Sequence, residues 1–146
     1  MSQSFVLDNS VAMRWCFEDT TNAYAEAILE QLEKGDAAFV PVLWRYEVVA
    51  VLAKAQKHKS LTADQAADFL ESLTSFSLPV DYTGVEKILQ DVHGIAVQYG
   101  LTGYDAAYLE LALRKNLPLA TLDEALQKAA LQAGVELFDP SMKGTA

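Results

Sequence analysis

The segment LTGYDAAYLELALRKNLPLATLDEAL, residues 101–126, constrains the fold more than any other part of the chain. Its apolar residues recur at helical spacing from about Thr102 to Lys115, and the short apolar run Leu117–Leu122 is typical of a buried strand. A second helix follows, and this succession indicates an α/β fold with a parallel sheet. Asp105 lies in the first turn of one helix, and Asp123 lies at the strand–helix junction, where α/β folds bind their ligands.

The rest of the chain repeats this alternation of short strands and helices. Strands are predicted at Ser4–Leu7, Ala37–Val40, Ser77–Tyr82 and Val135–Phe138, and helices from about Val11 and at Asn22–Lys34, Leu43–Lys57, Thr62–Leu73, Val85–Tyr99 and Leu126–Ala133. The pattern predicts a three-layer α/β/α sandwich around a central parallel sheet. With 146 residues we expect one domain, residues 1–140, and a C-terminal tail, residues 141–146.

The cysteine and histidine content restricts the kinds of metal site that the chain can form. Cys16 is the single cysteine, which excludes an internal disulfide and a cysteine-cluster zinc site. The two histidines, His58 and His93, are isolated and cannot supply the usual ligand pairs. Any bound metal must therefore rely mainly on oxygen ligands.

The charge balance and the lack of long apolar runs limit the classes of partner and the cellular location that we expect. Eleven basic and 20 acidic residues give a net charge of −9, which opposes binding of nucleic acid through a broad basic surface. A metal-bridged contact with a phosphate is still possible. No apolar run approaches the roughly 18 residues of a membrane span, and the N-terminus does not resemble a signal peptide. We therefore expect a soluble, cytoplasmic protein without a membrane partner.

Two further acidic residues stand out by their surroundings. Asp8 follows the first strand directly, and either Asp8 or Ser10 could be an ordinary N-cap of the next helix. Glu47 is the only acidic residue between Ala37 and Ala63, and its neighbours on the same helix face are apolar. An unpaired buried carboxylate is costly, so Glu47 requires a metal, hydrogen-bond donors or a distant Arg or Lys as its partner.

The predicted topology brings these acids towards one edge of the sheet. Asp8 and Asp123 follow strand ends, Asp105 opens the helix before the fourth strand, and Glu47 lies on the helix after the second. A site made of carboxylates, without histidine or cysteine, suits Mg²⁺ or Mn²⁺. Such ions assist phosphodiester hydrolysis, which is the chemistry that the acids suggest.

Four segments together resemble the PIN-domain ribonucleases, in particular the VapC-like toxins of bacterial and archaeal toxin–antitoxin pairs. These segments are VLDNSV, WRYEVVAVL, LTGYDAAYLELA and LATLDEAL, in that order along nearly the whole chain. The resemblance implies an α/β/α sandwich and a Mg²⁺- or Mn²⁺-dependent endoribonuclease. Water would attack the RNA phosphorus with cation assistance, and the 3′-side oxygen would leave.

The resemblance also assigns residues and partners. By position, Asp8, Glu47, Asp105 and Asp123 match the catalytic and metal-binding acids of the family, with Asp8 and Asp105 as the expected direct ligands. Ser10 and Thr121 match supporting hydroxyl positions. A homodimer and a cognate antitoxin are implied as partners. Candidates for the surface that the antitoxin covers, or alternatively for plain core, are Trp15, Phe17, Trp44 and Tyr46.

Other readings of the acids fit the sequence less well. An aspartyl-nucleophile phosphatase requires a second aspartate two residues after the first, where this chain has Ser10. A receiver-like phosphoacceptor requires an acidic pair at the first strand and a lysine after the last, and neither is found. The alternative that stays open is a catalytically silent PIN domain that binds RNA or protein.

Overall fold

A parallel sheet forms the centre of the molecule. The computed structural model describes residues 3–17 and 21–141. Its strands are β1 (Ser4–Leu7), β2 (Ala37–Pro41), β3 (Val80–Asp81) and β4 (Leu119–Ala120). They lie in the order β3-β2-β1-β4, and every neighbouring pair is parallel. The predicted parallel sheet is confirmed.

Helices and helical turns connect the strands. The α-helices of the described residues are α1 (Asn9–Cys16), α2 (Ala23–Glu33), α3 (Val42–Lys57), α4 (Ala63–Thr74), α5 (His93–Tyr99), α6 (Gly103–Lys115) and α7 (Glu124–Gln132). A 3₁₀ turn, Val85–Lys87, and a π-helical turn, Ile88–Val92, precede α5. Helix α6 packs against β1, β2 and β4, so Asp105 is carried on the helix nearest the middle of the sheet.

The burial of β1 shows that both faces of the sheet are covered. Phe5, Val6 and Leu7 are each fully buried. Successive side chains of a strand point to opposite faces, so burial of all three requires helices on both sides. The ring of Phe5 stacks on that of Phe138 at 4.1 Å between centroids, which fixes the C-terminal segment against the centre of the core. The predicted three-layer sandwich is confirmed.

The sheet is shorter at its edges than predicted. Of Ser77–Tyr82, only Val80–Asp81 forms a regular strand, although the carbonyls of Ser77 and Pro79 accept hydrogen bonds from β2 at 3.0 and 3.1 Å. Pro79 has no N–H to donate, and β3 is an edge strand, which is where proline is tolerated.

The last two predicted strands are also too long. Of Leu117–Leu122, only Leu119–Ala120 is a strand, because the chain after Ala120 turns to form hydrogen bonds with residues that follow β1. Of Val135–Phe138, a single bridge between Leu119 and Leu137 is formed. A full fifth strand was therefore a wrong prediction.

The predicted single helix Val85–Tyr99 was also wrong. The segment consists of the two irregular turns followed by α5, and Val85, Ile88 and Leu89 are exposed instead of facing the core. Helix α6 is the main element that packs against this segment, so one neighbour cannot cover all of its apolar side chains. An apolar surface is left open as a result.

The predicted tail falls almost entirely outside the described residues. Of residues 141–146, the structure describes Ser141 alone, so the domain division at residue 140 stays a prediction. In the parts of the chain that are described, helices are too short or too polar to cross a lipid bilayer.

Candidate active site

Asp8 is the centre of the acidic site. It directly follows β1 and is 4% exposed. It occupies the N-cap position of α1, but its side chain makes no capping hydrogen bond. The ordinary explanation for an aspartate at this position therefore fails.

Two hydroxyl groups hold the Asp8 carboxylate instead. Ser10 Oγ donates to Asp8 Oδ2 at 2.6 Å, and Thr121 Oγ1 donates to the same oxygen at 2.7 Å. The backbone N–H of Leu122 donates to Ser10 Oγ, and that of Asp123 donates to Thr121 Oγ1, each at 3.0 Å. This network, Asp8–Ser10–Thr121, joins the ends of β1 and β4. Ser10 donates to the acid beside it in the sequence, whereas Thr121, which lies beside Asp123 in the sequence, donates to Asp8.

Burial and charge oppose ionisation of Asp8. Burial raises its pKa most strongly, the hydrogen bonds of Ser10, Thr121 and the Asn9 backbone lower it, and the negative charge of Asp123 raises it. The net direction is upward. A carboxyl group that is buried beside another acid favours its neutral form unless a cation compensates the charge.

Asp123 is fixed at the start of α7. Its Oδ2 accepts a hydrogen bond from the Leu126 backbone N–H at 2.8 Å, so it is a true N-cap. Gln127 Nε2 donates to the Thr121 carbonyl at 2.9 Å and braces the same turn. One oxygen of the Asp123 carboxylate therefore caps α7, and the negative charge of this group raises the pKa of Asp8 and Asp105.

Asp105 lies in the first turn of α6, as predicted. The helix begins after Thr102, whose Oγ1 accepts the Asp105 backbone N–H at 3.1 Å. Burial raises the pKa of Asp105, the charges of Asp123 and Asp8 raise it further, and the Thr102 hydroxyl lowers it. The net shift of the Asp105 pKa is upward. The positive end of a helix dipole alone would shift it downward, because it favours an ionised carboxylate.

Glu47 is half-buried on α3 and has a neutral partner. The hydroxyl of Tyr108 donates a short hydrogen bond to Glu47 Oε1. Burial raises the pKa of Glu47, the Tyr108 bond lowers it, and the charges of Asp8 and Asp105 raise it, with a net upward shift. Among the described residues no Arg or Lys forms an ion pair with Glu47, so the structural ion pair left open by the sequence is not found.

Tyr108 is a site residue that the sequence reasoning missed. Its spacing was the available signal, because residues three positions apart lie on the same face of a helix and Tyr108 follows Asp105 by three. The side chain is fully buried and reaches from α6 to Glu47.

Pairwise electrostatic effects link the four predicted acids. The charge of Asp123 raises the pKa of Asp8 and Asp105, and the charges of Asp8 and Asp105 raise the pKa of Glu47. Perturbed carboxylates that act on one another are typical of functional sites.

The donor set fits a hard divalent cation. Within residues 3–17 and 21–141, no three His, Cys, Asp or Glu side chains lie close enough together to hold a metal ion among them. Mg²⁺ does not require such a cage, because it commonly binds one or two carboxylates and takes its remaining oxygens from water and substrate phosphates. A buried side-chain oxygen of Asn9, beside Asp8 in the chain, also accepts no hydrogen bond within the described residues.

Comparison with known proteins identifies the family. The PIN domain family matches residues 5–131, which include the four acids and both hydroxyl residues. The chain belongs to the PIN domain family. The resemblance found in the sequence is thereby confirmed.

Two relatives of this PIN domain differ in how much of their own length they share. Ribonuclease VapC3 of Pyrobaculum aerophilum is 36% identical over 81 residues, which are 56% of this chain and 62% of that protein. An alanine–tRNA ligase of Synechococcus sp. is 26% identical over 135 residues, which are 92% of this chain and 14% of the ligase. The chain therefore matches less than two thirds of the length of either relative.

Solved structures share the PIN fold over most of the chain. VapBC2 from Rickettsia felis, bound to a DNA fragment from its promoter, has a TM-score of 0.65 at 14% identity and covers 93% of this chain and 98% of that one. A toxin–antitoxin complex from Klebsiella pneumoniae has a TM-score of 0.60 at 19% identity and covers 93% and 97%. At such low identity the similarity shows the fold alone.

The upward pKa shift of Asp105 predicts a stabilising substitution in this PIN domain. A carboxyl group whose pKa is higher in the folded chain destabilises that state when ionised, and the penalty disappears as the pH falls below the unfolded pKa near 3.8. In EDTA, Asp105→Asn should therefore raise the urea midpoint at pH 7, and the gain should shrink towards pH 3.

The matched control for this prediction is Glu124→Gln, which removes one charge from the exposed first turn of α7. It should give no gain at pH 7, because that acid favours the helix dipole. Equal midpoints for Asp105→Asn and the parent at pH 7, or a gain that is undiminished at pH 3, would contradict the assignment of charge repulsion to Asp105.

Proposed function

We propose that this PIN domain is a Mg²⁺- or Mn²⁺-dependent endoribonuclease and acts as the toxin of a toxin–antitoxin pair. The observation that carries the proposal is the buried Asp8 carboxylate. It caps no helix, it is oriented by two hydroxyls, the negative charge of Asp123 acts on it, and its own charge acts on Glu47 and Asp105. Similarity to ribonuclease VapC3 supports the choice of RNA cleavage over other phosphodiester chemistry.

The acids of the site contribute to cation binding in different ways. Ser10 and Thr121 both bind Oδ2 of Asp8, so they fix the carboxylate without occupying Oδ1. Asp105 adds a second carboxylate from the start of α6, and the Asp123 charge increases the negative potential at both. A bound divalent cation lowers the pKa of water and neutralises charge on a phosphate.

The acidic site itself argues against a purely passive role. The pKa of Asp8, Glu47 and Asp105 is raised in each case, so the ionised cluster opposes folding at neutral pH unless a cation joins it. An RNA strand is repelled by the same charges, and a cation between carboxylate and phosphate turns repulsion into binding. The proposed RNA substrate implies that the protein acts in the cytoplasm.

A cognate antitoxin is the proposed protein partner. Of the four aromatic candidates, Trp44 is 4% exposed and belongs to the core, which is the alternative that the sequence left open for it. Trp15 and Phe17 line a groove with Leu61 and Phe69, and Tyr46 is exposed. These side chains suit an apolar protein contact. A bound antitoxin should suppress RNA cleavage, and a complex with undiminished cleavage would contradict this part of the proposal.

A homodimer is the second proposed assembly. An apolar groove of about 560 Å³ lies between the irregular turns and α6. Leu89 is 90% exposed at its rim, and Tyr104 on α6 is 65% exposed. Contiguous exposed apolar side chains mark protein contacts. We assign this surface to a second copy of the chain.

Cleavage of total cellular RNA tests the enzymatic proposal. The parent protein, free of antitoxin, should cut at a few defined sites in Mg²⁺ or Mn²⁺, and EDTA should prevent the cuts. Asp8→Asn and Asp105→Asn should abolish cleavage, because each removes a carboxylate from the cation-binding set while keeping a similar shape. Sequencing of new 5′ ends identifies the sites.

Glu124→Gln is the control in the RNA assay as well, and it should cut at the parent's positions. Metal-independent cuts, or cuts that persist in Asp8→Asn and Asp105→Asn, would refute the proposal. Absence of cleavage by the parent in either metal would instead favour a silent PIN domain that binds RNA or protein.

Leu89→Asp tests the dimer. A charge placed on this 90% exposed side chain should weaken self-association by at least about 10-fold, because desolvation of a carboxylate opposes contact. Sedimentation velocity over a concentration series measures the change. Leu131→Asp, at an exposed position on α7, is the control and should associate like the parent. A monomeric parent, or an unchanged Leu89→Asp dimer, would remove this surface from the assembly.

A further inference from the structure

Tyr108 connects two of the helices that carry the acidic site. Among the described residues it has the largest fully buried side chain. Its hydroxyl donates to Glu47 Oε1 on α3. Tyr108 itself lies one turn after Asp105 on α6.

The direction of this hydrogen bond is fixed by the groups involved. An ionised carboxylate can only accept a hydrogen bond, so the phenolic proton of Tyr108 points to Glu47. The Tyr108 ring is fully buried, and the packing around it holds the hydroxyl in this orientation.

The hydrogen bond from Tyr108 restricts the position of the Glu47 side chain. A glutamate side chain has three rotatable bonds, and on α3 its position four residues after Leu43 gives it apolar neighbours on its own face. The Tyr108 hydroxyl holds Oε1, which leaves Oε2 for other ligands. Partners of this kind orient a metal-binding side chain and are required for its affinity.

We propose that Tyr108 is a positioning residue that orients Glu47 for binding of a divalent cation at the Asp8 edge of the sheet. The proposal rests on the proposed function, since it concerns the same site. It adds that the Tyr108 hydroxyl, and not only the four acids, determines cation affinity, and that it acts through Glu47.

The test is a cycle of four proteins titrated with Mn²⁺ by calorimetry: the parent, Tyr108→Phe, Glu47→Gln and the double variant. Tyr108→Phe keeps the ring and removes the hydroxyl, and it should weaken Mn²⁺ binding by about 10-fold. Glu47→Gln should also weaken it. The double variant should bind no more weakly than Glu47→Gln, because a hydroxyl that acts through Glu47 has no effect once the carboxylate is gone.

Tyr24→Phe is the matched control. The Tyr24 hydroxyl donates to the Phe138 carbonyl at 2.6 Å, so this variant also loses a tyrosine hydrogen bond, but it lies outside the acidic site. Urea unfolding shows what each hydroxyl contributes to stability. Only Tyr108→Phe should lose Mn²⁺ affinity, and a loss of equal size in Tyr24→Phe would assign the effect to general loosening of the fold.

The outcomes separate this inference from the proposed function. If the parent binds Mn²⁺ and cuts RNA but Tyr108→Phe binds Mn²⁺ as tightly, the positioning role is refuted and the ribonuclease stands. If the losses in the two single variants add in the double variant, Tyr108 does not act through Glu47 and the proposal fails. If the parent binds no Mn²⁺ and cuts no RNA, the proposed function fails, and the positioning role fails with it.

Discussion

Two hydroxyl groups that donate to one oxygen of Asp8 are the interaction on which the site depends. Ser10 and Thr121 come from segments 111 residues apart, and both reach Asp8 Oδ2. The same hydroxyls accept the backbone N–H groups of Leu122 and Asp123. The network therefore orients the acid and also ends β4, since the chain that follows Ala120 is turned towards the end of β1. The same hydrogen bonds therefore end the strand and orient the Asp8 carboxylate.

Asp81 and three acids of the site differ in their partners and in the direction of their pKa shift. Burial raises the pKa of Asp81, but hydrogen bonds from Arg114 and Thr83 outweigh it and the net shift is downward, which is typical of a structural ion pair. Asp8, Glu47 and Asp105 have hydroxyl partners and one another, and the pKa of each is raised. The ion pair of Asp81 stabilises the fold, whereas the ionised carboxylates of Asp8, Glu47 and Asp105 destabilise it. We propose that a divalent cation compensates the charges of Asp8, Glu47 and Asp105.

Local patterns predicted the parts of the fold that local forces decide. The order of elements, the parallel sheet, the start of α6 at Thr102 and the start of α4 at Thr62 follow from periodicity and capping chemistry. The structure of the segment 85–99 did not follow from its pattern. Its apolar spacing is that of a core helix, but the described part of the chain has no element that covers its exposed apolar side chains. Tyr108 was missed because its partner Glu47 is 61 residues away in sequence. Contacts of that kind depend on tertiary packing.

We propose that the edge of the sheet at Asp8 binds a divalent cation through carboxylates that the fold has already oriented. Anomalous diffraction from crystals of the protein grown with Mn²⁺ is the sharpest test. We expect an Mn²⁺ ion in contact with Asp8 and with at least one of Asp105 and Asp123, with Ser10 and Thr121 still bound to Oδ2. Mn²⁺ ordered only elsewhere on the protein, or no ordered ion at saturating concentration, would contradict it.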